Sequence, residues 1–232
     1  MDRTDDRAAA TGDIDRYLRP TNFVDSGHPA IVAYARSIAG LMPTAKAKAV
    51  ALYYGVRDGI RYDPYNIDVS DAEMKASRCL ERGYGFCVSK AALLAAAARA
   101  QDIPARLGFA DVINHLSSER LRQSMKTDIF AYHGYVELYL GDRWVKATPS
   151  FNLTLCQKVN ILPLDFDGAR DSVFHPFDAS GRKHMEYVRD HGVHADIPLA
   201  ELVATWQALY GWSPGTFQEL GRTAKFEDEA KV

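Results

Sequence analysis

Cysteine is scarce in this 232-residue chain: there are three, at positions 79, 87 and 156. An odd number, widely spread, builds no disulfide framework and fits a reducing compartment. Charge of one sign is also missing. The 28 Lys and Arg against 30 Asp and Glu leave a formal net charge of −2. With no long basic block, nothing electrostatic draws the chain to nucleic acid. No apolar run approaches the ~20 residues of a membrane span. The charged start Met1-Asp2-Arg3-Thr4-Asp5-Asp6-Arg7 lacks the apolar stretch of a signal peptide. The expectation is a cytoplasmic protein without a membrane partner. Neither the glycine-lysine phosphate loop nor the dinucleotide fingerprint occurs, so nucleotide chemistry has no support. Internal repeats and low-complexity segments are absent as well. What is present is ample core material, with 47% hydrophobic residues, ordinary for a soluble globular protein.

Residues 1–25 read as a polar lead-in, at most a strand or turn around Thr21-Asn22-Phe23-Val24. A helix is expected over 26–40, with Ser26 as its cap and Pro29 in its first turn. A second is expected over 44–60. Ser70-Asp71-Ala72-Glu73 has the capping-box pattern, which predicts a third helix reaching to about 81. Arg82-Gly83 stops it, and a fourth helix runs from Cys87 to about 101. Strands are predicted over 105–113, 131–140 and 143–151, with a short helix over 117–125. Past 153 the pattern weakens. Residues 162–178 read as loop, 181–190 and 198–210 as helices, and a last short helix starts after Pro214. Helices followed by antiparallel strands indicate the α+β class. The expected organisation is a lead-in over 1–25, a core over 26–152, and a C-terminal extension over 153–232 packed on the core.

Cys87 stands where Gly83-Tyr84-Gly85-Phe86 gives way to Val88-Ser89-Lys90-Ala91-Ala92-Leu93-Leu94. That puts a thiol at a helix start, where the positive end of the helix favours thiolate, the nucleophilic form. A buried structural cysteine is the plain alternative. His133 lies 46 residues downstream on the strand 131–140. There Tyr132, Gly134, Val136, Leu138 and Leu140 form a core-like face. Ala131, His133, Tyr135, Glu137 and Tyr139 form the face that carries the polar chemistry. Gly141-Asp142 reads as a two-residue hairpin turn of type II′. It sets Leu140 opposite Arg143, Tyr139 opposite Trp144, Glu137 opposite Lys146, Tyr135 opposite Thr148 and His133 opposite Ser150. Opposed side chains share a face, so either hydroxyl can orient the imidazole, or both are ordinary strand residues.

His184, His191 and His194 with Asp190 and Asp196 resemble a metal cluster, but His191-Gly192-Val193-His194 lacks helical i, i+4 spacing. Histidine at a helix C-terminus is the plainer account. His115 is a rival base at a strand exit, and His28 sits beside a helix start on the surface. Cys79 and Cys156 have no nucleophilic setting. Trp206, Tyr210 and Trp212 form a stripe that reads as core or as cover for residues 160–180.

Gly85-Phe86-Cys87, then Lys90-Ala91-Ala92-Leu93-Leu94, Ala98-Arg99-Ala100 and Ile103-Pro104-Ala105-Arg106, resemble the core of the transglutaminase-like superfamily. The His133-Gly134-Tyr135-Val136-Glu137 strand and the hairpin from Gly141 to Pro149 continue the likeness, which spans about 50–152. The resemblance implies a papain-like, transglutaminase-core fold with N-terminal helices on an antiparallel sheet. It also implies a catalytic triad at Cys87, His133 and position 148. Thr148 stands where the family has Asp. A threonine accepts a hydrogen bond from imidazole but supplies no charge to stabilise imidazolium. Asp165, Asp167, Asp171 and Asn152 are substitutes for that group. The Cys87 N–H is the expected oxyanion donor, with Tyr62 as a candidate second donor or else a core tyrosine.

The function expected on this basis is a cysteine hydrolase or acyltransferase acting on an amide or peptide bond of a peptide or protein substrate through a thioester. It implies no cofactor and no metal. The alternative, motivated by Thr148, is an inactive or weak papain-like module that binds peptides or a partner protein. In a further reading, residues 153–232 cap the cleft.

Overall fold

Thirteen residues, Cys87–Arg99, form a helix that is buried along almost its whole length, and the other elements are arranged to bury it. The computed structural model describes residues 14–114, 118–174, 181, 185–217 and 225–229. In chain order these hold α1 (Pro29–Ala39), α2 (Ala45–Gly59), β1 (Arg61–Tyr62), α3 (Ala76–Arg82), β2 (Tyr84–Gly85) and α4 (Cys87–Arg99). Then come β3 (Ala105–Asn114), α5 (Glu119–Met125), β4 (Ile129–Leu140), β5 (Arg143–Ala147) and α6 (Leu153–Lys158). The described part closes with β6 (Met185–His194), α7 (Leu199–Tyr210) and α8 (Phe226–Glu229). An antiparallel four-stranded sheet, ordered β5-β4-β3-β6, supports α4 on one face. Helices α1, α2 and α3 close around the rest of it. The chain has the α+β, papain-like architecture that its motif order implies.

The alanine run 95–98 explains how α4 tolerates this position: small side chains let neighbouring elements approach on every side. Gly134 lets β4 come close, since a Cβ there would meet the Val88 Cα at 3.0 Å. Two cations lie in the same helix. The fully buried Lys90 donates from Nζ to the carbonyls of Arg57 at 2.9 Å and Ile60 at 2.5 Å. These lie at the C-terminal end of α2, where carbonyls lack helical partners. Arg99 donates to the carbonyls of Ala105, Arg19 and Ala195. Carbonyl bonds offset part of the cost of burying each charge.

The structure corrects several element boundaries. His28, not Ser26, caps α1, its ring nitrogen accepting from Ala30 N–H at 3.3 Å. Ser70 starts a turn rather than a helix, because Glu73 pairs with Arg78 and Arg82 instead of reaching back to a cap. The third helix therefore begins at Ala76. Gly141 and Asp142 both have positive φ, +57° and +68°, which defines a type I′ turn rather than II′. The hairpin register from Leu140↔Arg143 to Glu137↔Lys146 agrees with the expected one. Residues 185–194 are a strand along β3, where the sequence suggests a helix over 181–190.

Burial pushes the Lys90 ammonium down to about 7. Between pH ~7 and the ordinary lysine value of ~10.4, the unfolded chain therefore binds this proton more firmly than the folded one. Unfolding free energy rises with pH across that window on this account. Above pH ~9 the buried thiols, all raised by desolvation, act in the opposite sense. Urea unfolding at half-unit steps from pH 7 to 9 should show stability climbing in the wild type and a flatter profile in Lys90→Met. Equal slopes would assign the rise to another group.

Candidate active site

Short parallel pairing of β1 with β2, with Tyr62 beside Gly85, brings Tyr62 to the start of α4. Cys87 is the first residue of that helix, and Phe86, its N-cap, has no side-chain oxygen to offer. Ser89, at the third helical position, reaches back and accepts the Phe86 N–H at 3.0 Å. Cys87 and His133 line one cavity with Tyr62, Phe86, Trp206, Tyr210 and Phe217. Its volume is about 50 Å³, room for a few waters and not for a peptide.

The thiolate expected at the helix start is not the favoured form. Burial pushes the Cys87 thiol up to about 11, although the N–H groups of Gly134, Val88 and Cys87 itself act to lower it. Desolvation is the largest influence and outweighs those N–H groups, so the thiol is the favoured form.

His133 is buried, with Phe174 edge-on to its ring at 4.9 Å. Its placement depends on a bulge. β4 has two residues, Ala131 and Tyr132, where β3 has only Asp111 between the pairs Ala110↔His133 and Val112↔Phe130. Tyr132 takes a left-handed φ of +58°, a conformation costly for a bulky side chain. Asp111 holds it there. Its carboxylate accepts the Tyr132 N–H at 3.0 Å and lies 2.7 Å from His191 Nε2. The His191 ring stacks on Tyr132 at 4.1 Å. The bulge interrupts the strict alternation expected over 131–139. Asp111 escapes a reading of the sequence because only the strand pairing brings it to Tyr132.

Thr148 is buried, but among the described residues its hydroxyl has no hydrogen-bond partner. The β4–β5 ladder ends at Val136↔Ala147, so Thr148 and Ser150 are not carried along it to Tyr135 and His133. Ser172 takes over, its carbonyl accepting the Thr148 N–H at 3.0 Å. The substitutes are engaged elsewhere. Asp165 faces Arg57, and Asp167 closes its own turn with Ala169 and Arg170. Asp171 accepts the Lys146 N–H, and Asn152 accepts the Tyr62 N–H at 3.0 Å. Tyr62 is buried beside Cys87, its ring edge-on to Phe151 and Phe226, and burial raises its hydroxyl well above the ordinary value.

Of the histidine group, His191 faces Asp111, His194 Nε2 lies 3.1 Å from the His191 carbonyl, and Asp196 accepts the N–H groups of Phe23 and Val24. His115 and His184 lie outside the described residues. Among the described residues no three His, Cys, Asp or Glu side chains form a metal-ligating group, and no described helix is long and apolar enough to cross a membrane.

A thiol at the first turn of a buried helix lines one cavity with a histidine of the antiparallel sheet, on an α+β fold of the papain-like class. The chain belongs to the transglutaminase-like superfamily, whose profile matches residues 32–149, just over half of it. Comparison with curated proteins finds no match. Among solved structures, it is similar to a provisionally described cysteine protease from Cytophaga hutchinsonii, with 18% identity and a TM-score of 0.48 over 79% of this chain. A provisionally described protease from Parabacteroides distasonis matches with 15% identity and a TM-score of 0.38 over 61% of this chain. The chain spans 54% of the first protein and 26% of the second.

Asp111→Ala should destabilise the fold by about 2 kcal/mol, because it leaves the buried Tyr132 N–H and His191 without their acceptor. Asp111→Asn, which retains an acceptor oxygen, should lose less. Urea unfolding of the two variants measures the difference, and equal losses would deny the carboxylate's bond to Tyr132 a special role.

Proposed function

We propose that the protein is a cysteine hydrolase or acyltransferase acting on an amide or peptide bond, with Cys87 as nucleophile and His133 as base. The observation that carries this reading is the shared cavity of Cys87 and His133 at the start of α4. The His133 imidazole takes the thiol proton, and Cys87 Sγ attacks the carbonyl carbon. The oxyanion is stabilised by the Cys87 N–H, which has no partner within the helix. As the C–N bond breaks, His133 gives its proton to the leaving amine. The resulting thioester is attacked by water or by a second amine, which releases an acid or a new amide and returns the proton to sulfur. Hydrolysis needs no dedicated amine site and is the preferred outcome. The Thr148 hydroxyl is the orienting group of the proposed constellation; it is buried and has no hydrogen-bond partner among the described residues.

A second reading, a papain-like module that binds peptides without cutting them, is favoured by one observation: Thr148 brings no carboxylate to His133, and its hydroxyl has no hydrogen-bond partner among the described residues. The two part on turnover. A panel of unstructured peptides followed by mass spectrometry should yield cleaved or transferred products and an acyl adduct on Cys87. Cys87→Ala and His133→Ala should each lower the rate by at least ~10³-fold. Product formation that survives Cys87→Ala would sink the hydrolase reading.

A further inference from the structure

The N-terminal half of β4 has an open edge. β5 pairs with β4 only over 136–140, and β3 occupies the other side. On the open side, the backbone of Ala131 and Ile129 would ordinarily await another strand. Side chains of α7 fill the places instead. Tyr210 Oη accepts the Ala131 N–H at 2.6 Å and donates to the Ile129 carbonyl at 3.1 Å. The Trp206 Nε1–H donates to the Ala131 carbonyl at 3.1 Å. An N–H, a carbonyl and a second carbonyl in alternate positions are the pattern an added extended chain would engage.

These same two side chains form part of the wall over Cys87. Trp206 lies against Phe86, the residue before the thiol, at 6.0 Å, and Phe217 packs on it at 5.7 Å. Helix α7 rests on β4 and α5, and Ala131 is two residues from His133 on the same strand. The cavity beneath is too small for any acyl group with a side chain, and its wall includes Ile67, Leu121, Met125 and Phe130.

We infer that α7 is a displaceable lid and that its Trp206 and Tyr210 hold the place of an extended polypeptide substrate. Such a segment would take the bonds of Ala131 and Ile129 with its own backbone, and insert a large apolar or aromatic side chain among Leu121, Met125 and Phe130. This deepens the hydrolase reading and rests on Cys87 as the nucleophile, while its test reads thiol access and not turnover. Cys87 is half-buried as it stands, and lifting α7 opens the way to its sulfur further and lessens the desolvation that favours the thiol. Non-peptide amides would lack the alternating backbone groups and would not displace the lid.

The test is the rate at which iodoacetamide alkylates Cys87 at pH 8, followed by peptide mass spectrometry. Tyr210→Phe keeps the ring and loses both hydrogen bonds, and Trp206→Phe loses the indole donor. Each should alkylate at least fivefold faster than wild type. In the wild type, an acetylated, amidated pentapeptide with a central Phe should protect Cys87, and its backbone N-methylated analogue should not. This second comparison stands even where a variant fails to fold. Unchanged alkylation in both folded variants, or equal protection by the two peptides, would overturn the lid. Protection without any peptide being cut or transferred would uphold the lid and remove the hydrolase reading. Cleavage at full rate with no gain in alkylation would do the reverse.

Discussion

The burial of α4 on all sides is the constraint from which the rest of the molecule follows. A helix with no water-facing side must be made of small and apolar residues, which accounts for its alanine run. It must also have elements around its whole circumference, which the sheet and three helices provide. Any charge it carries must meet acceptors in a dry interior, where an unpaired ion is costly. Lys90 and Arg99 meet that condition with backbone carbonyls alone, so neither depends on a carboxylate whose protonation would release it. The two side chains tie α4 to the end of α2, to the start of β3, to the lead-in at Arg19 and to the segment after β6 at Ala195.

The same burial sets the state of the sulfur. A helix start and three N–H groups favour thiolate, yet desolvation outweighs them while aromatic rings cover the site. The thiol's character is thus decided by what lies over it as much as by its own helix. Residues from three separate parts of the chain contribute to this cover: Tyr62 from β1, Trp206 and Tyr210 from α7, and Phe217 beyond them.

The helix start at Cys87 and the hairpin about Gly141-Asp142 were legible in the sequence because local rules decide both. Glycines end one element, apolar residues begin the next, and a two-residue turn dictates register. The resemblance to the transglutaminase-like superfamily added the fold. What stayed hidden is non-local. Met185–His194 carries Glu186, Arg189, Asp190 and His191 along an outer strand, a composition that reads as helix until β3 is known to lie beside it. The bulge at Tyr132 depends on Asp111, on a different strand. The divergence of Thr148 from the ladder depends on Ser172, which arrives from beyond α6. In each case the deciding partner is distant along the chain, where periodicity carries no signal.

Arg99 also bears on the order in which the chain can assemble. Its guanidinium is bonded by carbonyls of Arg19, Ala105 and Ala195, which are near in space and far apart in sequence. Helix α4 and the start of β3 can form early, as neighbours along the chain. The remaining acceptors arrive only when the lead-in and the segment after β6 have both docked, and long-range closure of this kind is slow. During synthesis, the helix that bears Cys87 therefore emerges well before its buried cation has a full set of acceptors. The last of those bonds forms only after residue 195 has left the ribosome.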